Sequence, residues 1–576
     1  MDCTGRKLFV KALIEEKVET VFGYPGGTVT DLFDELYKQD KIHVVLGRHE
    51  QAVVHEAEGY ARASGKPGVC LVTSGPGATN TVTAITDAFY DSIPLVVFTG
   101  QVPLPLMGND AFQEVDIIGM VKGVTKYSVT VRKREDLGRI IKMAFHIATS
   151  GKPGPVLIDL PKNIQVEKGP SDYPGEINIR GYKINTNVHV GQLKRAYKLL
   201  SGAKRPLIMA GGGIRISKAH KQLEKFVEKT KVPVVTTVMG KGAMKDDNFY
   251  YIGNCGMHGR YSANKAVSEC DVLLSIGTRF NDRITGDLNE FAPKAKIIHI
   301  DIDTASISRN VVVDIPIVAD AKKALEKLIE WAEPIDSGSW MNDIYKWEEE
   351  HPLFVNQGKY LSPQVIMEHI NKNFTKAIYV TDVGQHQMWA SQYITLDEKK
   401  SMICSGGLGT MGFGFPAAVG AKLAKPDMPV VCITGDGGFQ MNMQEMATAI
   451  IEGAPVIVCI LNNTYLGMVR QFQELFYGKR YASTSLLTKA DNNTKNTKGV
   501  AAGDKEAKYI PDFIKWAESY GALGIRVESE SEIDDAFSKA KKNTKTPTVI
   551  EFITEREELV LPMVKGGNPL SEMILP

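Results

Sequence analysis

Short β-branched runs alternate with helical patterns along most of this chain, and that alternation limits the fold more than any other feature. A chain built this way forms βαβ units, with parallel strands and helices covering the sheet faces. At 576 residues it exceeds what one core can fill, so about three domains are expected. The predicted class is therefore α/β, with three doubly wound parallel-sheet domains. The first block spans 1–165, with strands expected at Val44–Arg48, Val69–Ser74 and Leu95–Gly100. The second spans 189–335, with strands at Pro206–Ala210, Val232–Thr237, Asp271–Gly277, Lys296–Asp301 and Pro316–Val318. The third spans 361–547, and its clearest strands are Pro429–Thr434 and Pro455–Leu461. The stretches 165–188 and 336–360 read as connections. Residues 548–576 read as a C-terminal tail with few helix signals, free to cover a site. Thr484–Lys508, rich in Lys, Asn, Thr and Gly, reads as a mobile surface loop.

Composition narrows the partners. Lys and Arg total 68 against 67 Asp and Glu, so the net charge is +1, and neither nucleic acid nor a membrane surface is expected as a partner. No stretch approaches the roughly 18 apolar residues that span a bilayer. The N-terminus enters an amphipathic helix directly, with Thr4 as its cap and Leu8, Phe9, Ala12 and Leu13 on one face. It carries neither a secretory nor a transit segment, which predicts a cytoplasmic protein. The seven cysteines form no CxxC, and several, such as Cys70 and Cys459, lie in apolar runs. They read as reduced structural thiols.

In open parallel sheets the ligand crevice lies at the carboxyl ends of the strands. Strand Pro429–Thr434 runs straight into Gly435-Asp436-Gly437-Gly438, and strand Pro455–Leu461 runs into Asn462-Asn463. Asp436 and Asn463 are 27 positions apart (463 − 436), about one βαβ crossover, so both fit at neighbouring strand ends. A carboxylate and an amide oxygen are hard ligands suited to Mg²⁺, an ion commonly completed by phosphate oxygens. Glycines beside them let the backbone approach a diphosphate. A tight turn followed by an unrelated Asn pair is the plainer alternative.

This pattern resembles the thiamine-diphosphate motif of the decarboxylase and carboligase superfamily. The resemblance implies that Asp436, Asn463 and the backbone carbonyl of Tyr465 hold the metal. It also implies an activating acid from the first domain, here Glu50 in GRHEQ (47–51). That acid protonates the aminopyrimidine ring, whose imino group then takes the proton from the thiazolium carbon. Burial against the coenzyme would raise the pKa of Glu50 and suit it to proton exchange. Taken alone, Glu50 is an acid that favours a helix N-terminus, and His55 and Glu58 read as solvated or structural. In this superfamily the acid and the diphosphate site come from different subunits, so at least a homodimer is implied. In GGLGTMGFG (406–414) the resemblance makes Met411 the bulky residue beneath the coenzyme, with Gly409 allowing close approach. It also carries coenzyme contacts to Pro25, Gly26 and Gly27 of FGYPGG.

From end to end the chain is similar to the catalytic subunits of the acetohydroxyacid (acetolactate) synthase family. The matching segments include FGYPGG (22–27), SGPGATN (74–80), GNDAFQE (108–114), SGKPGPVLIDLPK (150–162), GMHG (256–259), RFNDRITG (279–286), GDGGFQMNMQEMATA (435–449), LGMVRQFQ (466–473) and LPMV (561–564). The family decarboxylates pyruvate and condenses the hydroxyethyl unit with pyruvate or 2-oxobutyrate, producing acetohydroxy acids for branched-chain amino acids. The coenzyme provides the electron sink and the protein provides orientation. By resemblance, Arg283 holds the acceptor carboxylate, since the planar Arg fork binds carboxylates bidentately. Read alone, Arg283 is a surface cation paired with Asp282 or Asp287. Gln101 matches a residue close to the reacting atoms.

The second block is similar to the family's FAD domain, with contacts implied at Arg139, Gly212, Gly213, Met257, His258, Gly277, Arg279, Asp301 and Asp320. The flavin there is a structural relic. AGGGIR is not GxGxxG, so FAD rests on the resemblance. The assembly is a homodimer or homotetramer, with a small regulatory subunit left open. Two departures stand out. Phe472 occupies a position where the family often has Trp, which predicts a weaker preference for 2-oxobutyrate. Asn281 replaces an Asp, which puts one flavin contact in doubt. The alternatives are another flavin and thiamine-diphosphate enzyme, such as a pyruvate oxidase, or a non-catalytic nucleotide-binding scaffold.

Overall fold

The structure is a computed structural model that describes residues 2–184, 187–356, 360–487 and 511–576. It contains three six-stranded sheets. In the first, the spatial order is His43–Leu46, Thr20–Tyr24, Gly68–Val72, Leu95–Gln101, Pro155–Pro161, Tyr127–Thr130, paired parallel throughout. Numbered along the chain, that order is 2-1-3-4-6-5. The third sheet repeats it: Lys400–Cys404, Ala377–Thr381, Val430–Gly435, Ile457–Asn462, Thr548–Ile553, Leu523–Val527. Its pairings from Ala377–Thr381 onward are parallel. The central sheet is different. Its parallel strands Tyr251–Asn254, Val234–Thr236, Pro206–Ala210, Val272–Ile276, Lys296–Asp301 and Ile315–Val318 run 3-2-1-4-5-6, the order of dinucleotide-binding sheets.

The expected strands are all present, displaced by a residue or two at their ends. The strand runs VCLV, LVVF, VCIT and VCILN are buried, as parallel strands covered on both faces must be. Helix Gly5–Glu15 forms as expected, with Leu8, Phe9, Ala12 and Leu13 buried, but the Thr4 side chain makes no capping bond. Two readings need correction. The stretch 336–360 is not only a connection, because Trp340–Glu350 is a helix. Trp340 is buried and its indole N–H donates to the Pro206 carbonyl at 3.0 Å. The stretch read as a tail opens with strand Thr548–Ile553, set between two others in the third sheet. Within the supposed surface loop Thr484–Lys508, residues 488–508 lie outside the described residues.

The chain divides into two compact units. One comprises 1–183, 376–386 and 403–556, and so contains nearly all of the first and third sheets. In it, helix Glu50–Ser64 packs directly on helix Gly414–Ala424. A Cβ at Gly59 would lie 1.9 Å from the Ala417 carbonyl oxygen, and one at Gly420 would lie 1.8 Å from that of Glu56, so glycine is required at both. The other unit comprises 184–375, 387–402 and 557–576 and contains the central sheet. All seven cysteines are described and none is paired. Among the described residues no helix is long and apolar enough to cross a membrane.

Candidate active site

In the third sheet the strand order reverses between Ala377–Thr381 and Val430–Gly435, the switch point where such sheets bind ligands. Gly435 lies opposite Leu461 in the ladder, so Asp436 and Asn463 leave neighbouring strand ends, as their spacing predicted. The Asp436 carboxylate is buried and accepts the N–H of Gly437 at 3.0 Å. Burial still pushes it up to about 7, because backbone N–H groups replace only part of its hydration. A carboxyl buried this way, next to a carboxamide, fits a divalent cation, whose charge would hold the ionised form.

The Asn463 carboxamide accepts the Tyr465 N–H at 3.0 Å and donates to Gln385 at 3.2 Å. Between them Thr464 adopts a left-handed φ of 60°, an uncommon conformation for a β-branched residue. Backbone bonds Leu466 N to Thr484 O and Leu486 N to Thr464 O, both 2.8 Å, hold this turn in place.

Two residues that sequence reasoning missed sit across the switch point: Gln385 and His386. His386 is buried and its imidazole is pushed down to about 3 by burial, so it is neutral. Its Nε2 has no partner. A Cβ at Gly435 would come within 2.9 Å of its Nδ1, and one at Gly437 within 2.8 Å of Leu466 Cδ2. The glycines thus let His386 and Leu466 pack directly against the backbone that leaves this strand end. The available signal was DVGQHQ (382–387) directly after strand Ala377–Thr381. Met411 belongs to the same region: a Cβ at Gly437 would lie 3.8 Å from its Cε. Gly409 and Gly412 on either side have φ of 76° and 88°.

At the first sheet, Pro25–Gly27 follow strand Thr20–Tyr24 and SGPGATN follows Gly68–Val72, again flanking the reversal in strand order. A Cβ at Gly26 would lie 2.6 Å from Thr73. Glu50 opens helix Glu50–Ser64, half-buried, and accepts the Asn80 amide at 2.9 Å. Gln101 is buried at a strand end, with its amide donating to Val115 O at 3.0 Å and Asp159 at 3.2 Å. Of the two readings of His55 and Glu58, solvated or structural, the structural one fits: both are fully buried and hydrogen-bonded to each other at 2.7 Å. Farther along, Glu445 accepts the Arg48 N–H at 3.0 and 3.1 Å, linking the segment after GDGG to the turn before Glu50.

In the central sheet, Gly212 and Gly213 follow Pro206–Ala210 and Gly277 follows Val272–Ile276, the two strands flanking the reversal in order. They touch: Gly213 N–H donates to Gly277 O at 3.1 Å, and a Cβ on Gly213 would lie 2.6 Å from Gly277 Cα. Asp301 and Asp320 follow the next two strands, accepting the Asp303 and Lys323 N–H groups at 2.8 and 3.0 Å. Arg279 is half-exposed beside Phe280, whose φ is 51°. Asn281 Oδ1 and Thr278 Oγ1 are buried without partners, which fits a ligand with donor groups. Met257 and His258 meet the C-terminal segment, where Val564 N–H donates to Met257 O at 2.8 Å. Arg283 is exposed at 60% of its side chain and paired with Asp282 at 3.2 Å. Arg139 lies in the other unit, 3.8 Å from Asp136 and exposed at 57%.

Comparison with known proteins accounts for all three sheets. Residues 3–120 match the N-terminal TPP (thiamine pyrophosphate, or diphosphate) binding domain of thiamine pyrophosphate enzymes. Residues 193–328 match their central domain, and 382–552 match their C-terminal TPP binding domain. The chain is 45% identical over 588 residues to a probable acetolactate synthase large subunit of Methanocaldococcus jannaschii, covering 99% of this chain and 95% of that one. It is 43% identical to an acetolactate synthase of Mycobacterium leprae, covering 99% and 90%. To the acetolactate synthase isozyme 3 large subunit of Escherichia coli it is 42% identical, covering 99% and 98%. Strand-end chemistry, sheet order and full-length similarity agree: the chain belongs to the thiamine pyrophosphate enzymes, in the family of acetolactate synthase large subunits.

Proposed function

We propose that the protein is an acetolactate synthase, which decarboxylates pyruvate and joins the two-carbon unit to pyruvate or 2-oxobutyrate. The observation that carries this reading is the pairing of Asp436 and Asn463 at adjacent strand ends, in a chain similar throughout its length to acetolactate synthases. Thiamine diphosphate, when bound, supplies the electron sink that makes decarboxylation feasible.

The chain's own groups do the rest. Asp436, Asn463 and the Tyr465 carbonyl would hold Mg²⁺. Gly435, Gly437 and Gly438, with Gln385 and His386, receive the diphosphate. Pro25, Gly26 and Gly27 would hold the pyrimidine, Gly409 would allow close backbone approach, and Met411 would support the coenzyme. Glu50 exchanges a proton with the pyrimidine nitrogen. Its helix-start position leaves it half-buried, while Asn80 fixes its carboxylate. Arg283 releases Asp282 and takes the carboxylate of the second oxo acid, and Gln101 borders the reacting atoms. FAD would be held in a structural role at the central sheet's switch point by Gly212, Gly213, Gly277, Arg279, Asp301 and Asp320, with Met257 and His258 from the same unit.

The domains run 1–165 for pyrimidine, 189–335 for flavin and 361–553 for diphosphate, the last extended to include its interior strand, followed by the tail. The working assembly is a cytoplasmic homodimer, or a tetramer of two dimers, joined by a small regulatory subunit of the kind that the relatives' name "large subunit" implies.

The test supplies purified protein with pyruvate, thiamine diphosphate, Mg²⁺ and FAD, and measures acetolactate after its acid conversion to acetoin. Omitting thiamine diphosphate or Mg²⁺ should abolish the product. Oxygen uptake with flavin bleaching by pyruvate, and no acetolactate, would instead identify an oxidase.

A further inference from the structure

Met411 lies in SGGLGTMGFG (405–414), a stretch whose glycines supply unusual conformations but cannot hold them, since glycine loses the most backbone freedom on ordering. Carboxylates from elsewhere hold it. After Met411, Asp382 accepts the N–H of Gly412 at 3.0 and 3.1 Å and of Gly414 at 2.8 Å. Before Met411 the holding groups come from the first domain, on helix Val82–Asp91. Asp87 accepts the Ser405 hydroxyl and, at 3.1 Å, the Thr410 hydroxyl. Ser405 Oγ in turn accepts the N–H of Gly409 at 3.1 Å and of Thr410 at 2.9 Å. Asp91 accepts the N–H of Gly406 at 3.1 Å and of Gly407 at 2.7 Å. Arg62 completes the set, donating to Asp91 and to the Cys404 carbonyl, both at 2.7 Å. All of these first-domain groups are buried or nearly so.

We infer that Asp87 and Asp91 are positioning residues for the coenzyme, acting by clamping Ser405–Thr410 so that Met411 is presented in one conformation. The inference rests on the reading of Met411 as the residue beneath the coenzyme. Four backbone N–H groups of the loop depend, directly or through Ser405, on two first-domain carboxyl groups. Loss of such an acceptor leaves those donors unsatisfied and the loop free to move. Helix Glu50–Ser64 therefore has two duties: Glu50 at its start, and Arg62 near its end in the clamp.

The test uses full-length wild type, Asp87→Ala, Asp87→Asn and Ser405→Ala. Hydrogen exchange of the 404–414 segment is measured without coenzyme, followed by thiamine diphosphate activation at saturating Mg²⁺. In Asp87→Ala the segment should exchange about tenfold faster, with the third sheet still protected. The coenzyme activation constant should rise about tenfold, while the pyruvate KM stays near its original value. Asp87→Asn keeps an acceptor oxygen and should recover most of both effects. Unchanged exchange in folded Asp87→Ala, or weakened activation without faster exchange, overturns the proposal. Should Asp87→Ala fail to fold, Ser405→Ala removes a single hydroxyl: faster exchange at Gly409 and Thr410 supports the clamp, and unchanged exchange overturns it. Met411→Ala separates the two readings. Full activity there would overturn the role of Met411, and with it the clamp's purpose, even where the exchange results hold.

Discussion

The outer sheets and the central sheet are built from the same βαβ alternation, yet they carry different residues just beyond their strand ends. At the switch point of the third sheet the chain places buried ionisable groups: Asp382 and Asp436, both raised by burial, and His386, lowered by it. The central sheet also buries imidazoles, His258 and His299, both pushed down to about 4 by burial, but glycines stand at its switch point, where the third sheet has Asp382 and Asp436. Burying charge is costly, and chains concentrate that cost where chemistry needs a perturbed group. Where a nucleotide only has to be held, close backbone approach and helix caps suffice. The two strand orders, 2-1-3-4-6-5 twice and 3-2-1-4-5-6 once, draw the same line.

The sharpest way to break this contrast is to damage each kind of site. Asp436→Ala should abolish Mg²⁺-dependent coenzyme binding, measured calorimetrically, and acetolactate formation with it. Glu50→Gln should lower kcat by about 10²- to 10⁴-fold while the coenzyme still binds. Gly213→Ala forces a Cβ to within 2.6 Å of Gly277 Cα. It should lose flavin absorbance and cost about 1–3 kcal/mol of stability, with any surviving holoenzyme keeping its kcat. A comparable kcat loss in flavin-loaded Gly213→Ala would erase the distinction between the regions.

Smaller effects refine it. Phe472→Trp enlarges the contact with an extra methyl group, so a competition assay should shift toward 2-oxobutyrate by about tenfold, the scale of one methylene in a pocket. Asp87 tests the cost of buried charge. Burial, then the charges of Glu58 and Asp91, push it up to about 8 from 3.8, against His55 and Arg62, which lower it. An acid raised on folding stays protonated while the unfolded chain ionises, so stability falls as pH rises from about 4 to about 8 and then levels. Glu56 and Glu58 act in the same direction. Asp87→Asn should therefore flatten the decline of Tm between about pH 5 and 8, and an unchanged slope would count against a protonated Asp87.

The sequence made these regions legible to different depths. The placement of GDGG and NN at neighbouring strand ends was readable because each is a short local run after a buried strand, one crossover apart. Glu50 was readable only with that motif in view. Trp340–Glu350 hid because its apolar positions, Trp340, Ile344 and Trp347, are few and its other face is charged. Strand Thr548–Ile553 has the β-branched signal TVIEFI but comes after the polar, Lys- and Asn-rich stretch that obscured the sheet's end. The Asp87–Ser405 clamp joins residues 318 positions apart, which no local pattern encodes. The choice between solvated and structural for His55 and Glu58 stayed open for the same reason, since helix Gly414–Ala424 provides the cover.

The proposed chemistry depends most on one coenzyme being held by Glu50 of one copy and by Asp436 and Asn463 of another. Glu50→Gln and Asp436→Ala proteins, each inactive alone, can be unfolded together, refolded and assayed for acetolactate. A shared site predicts that about half the dimers are hybrids with one intact site, restoring about one quarter of wild-type activity. No recovery from verified hybrid dimers would mean that both groups serve the same coenzyme within one chain, and would contradict the shared site.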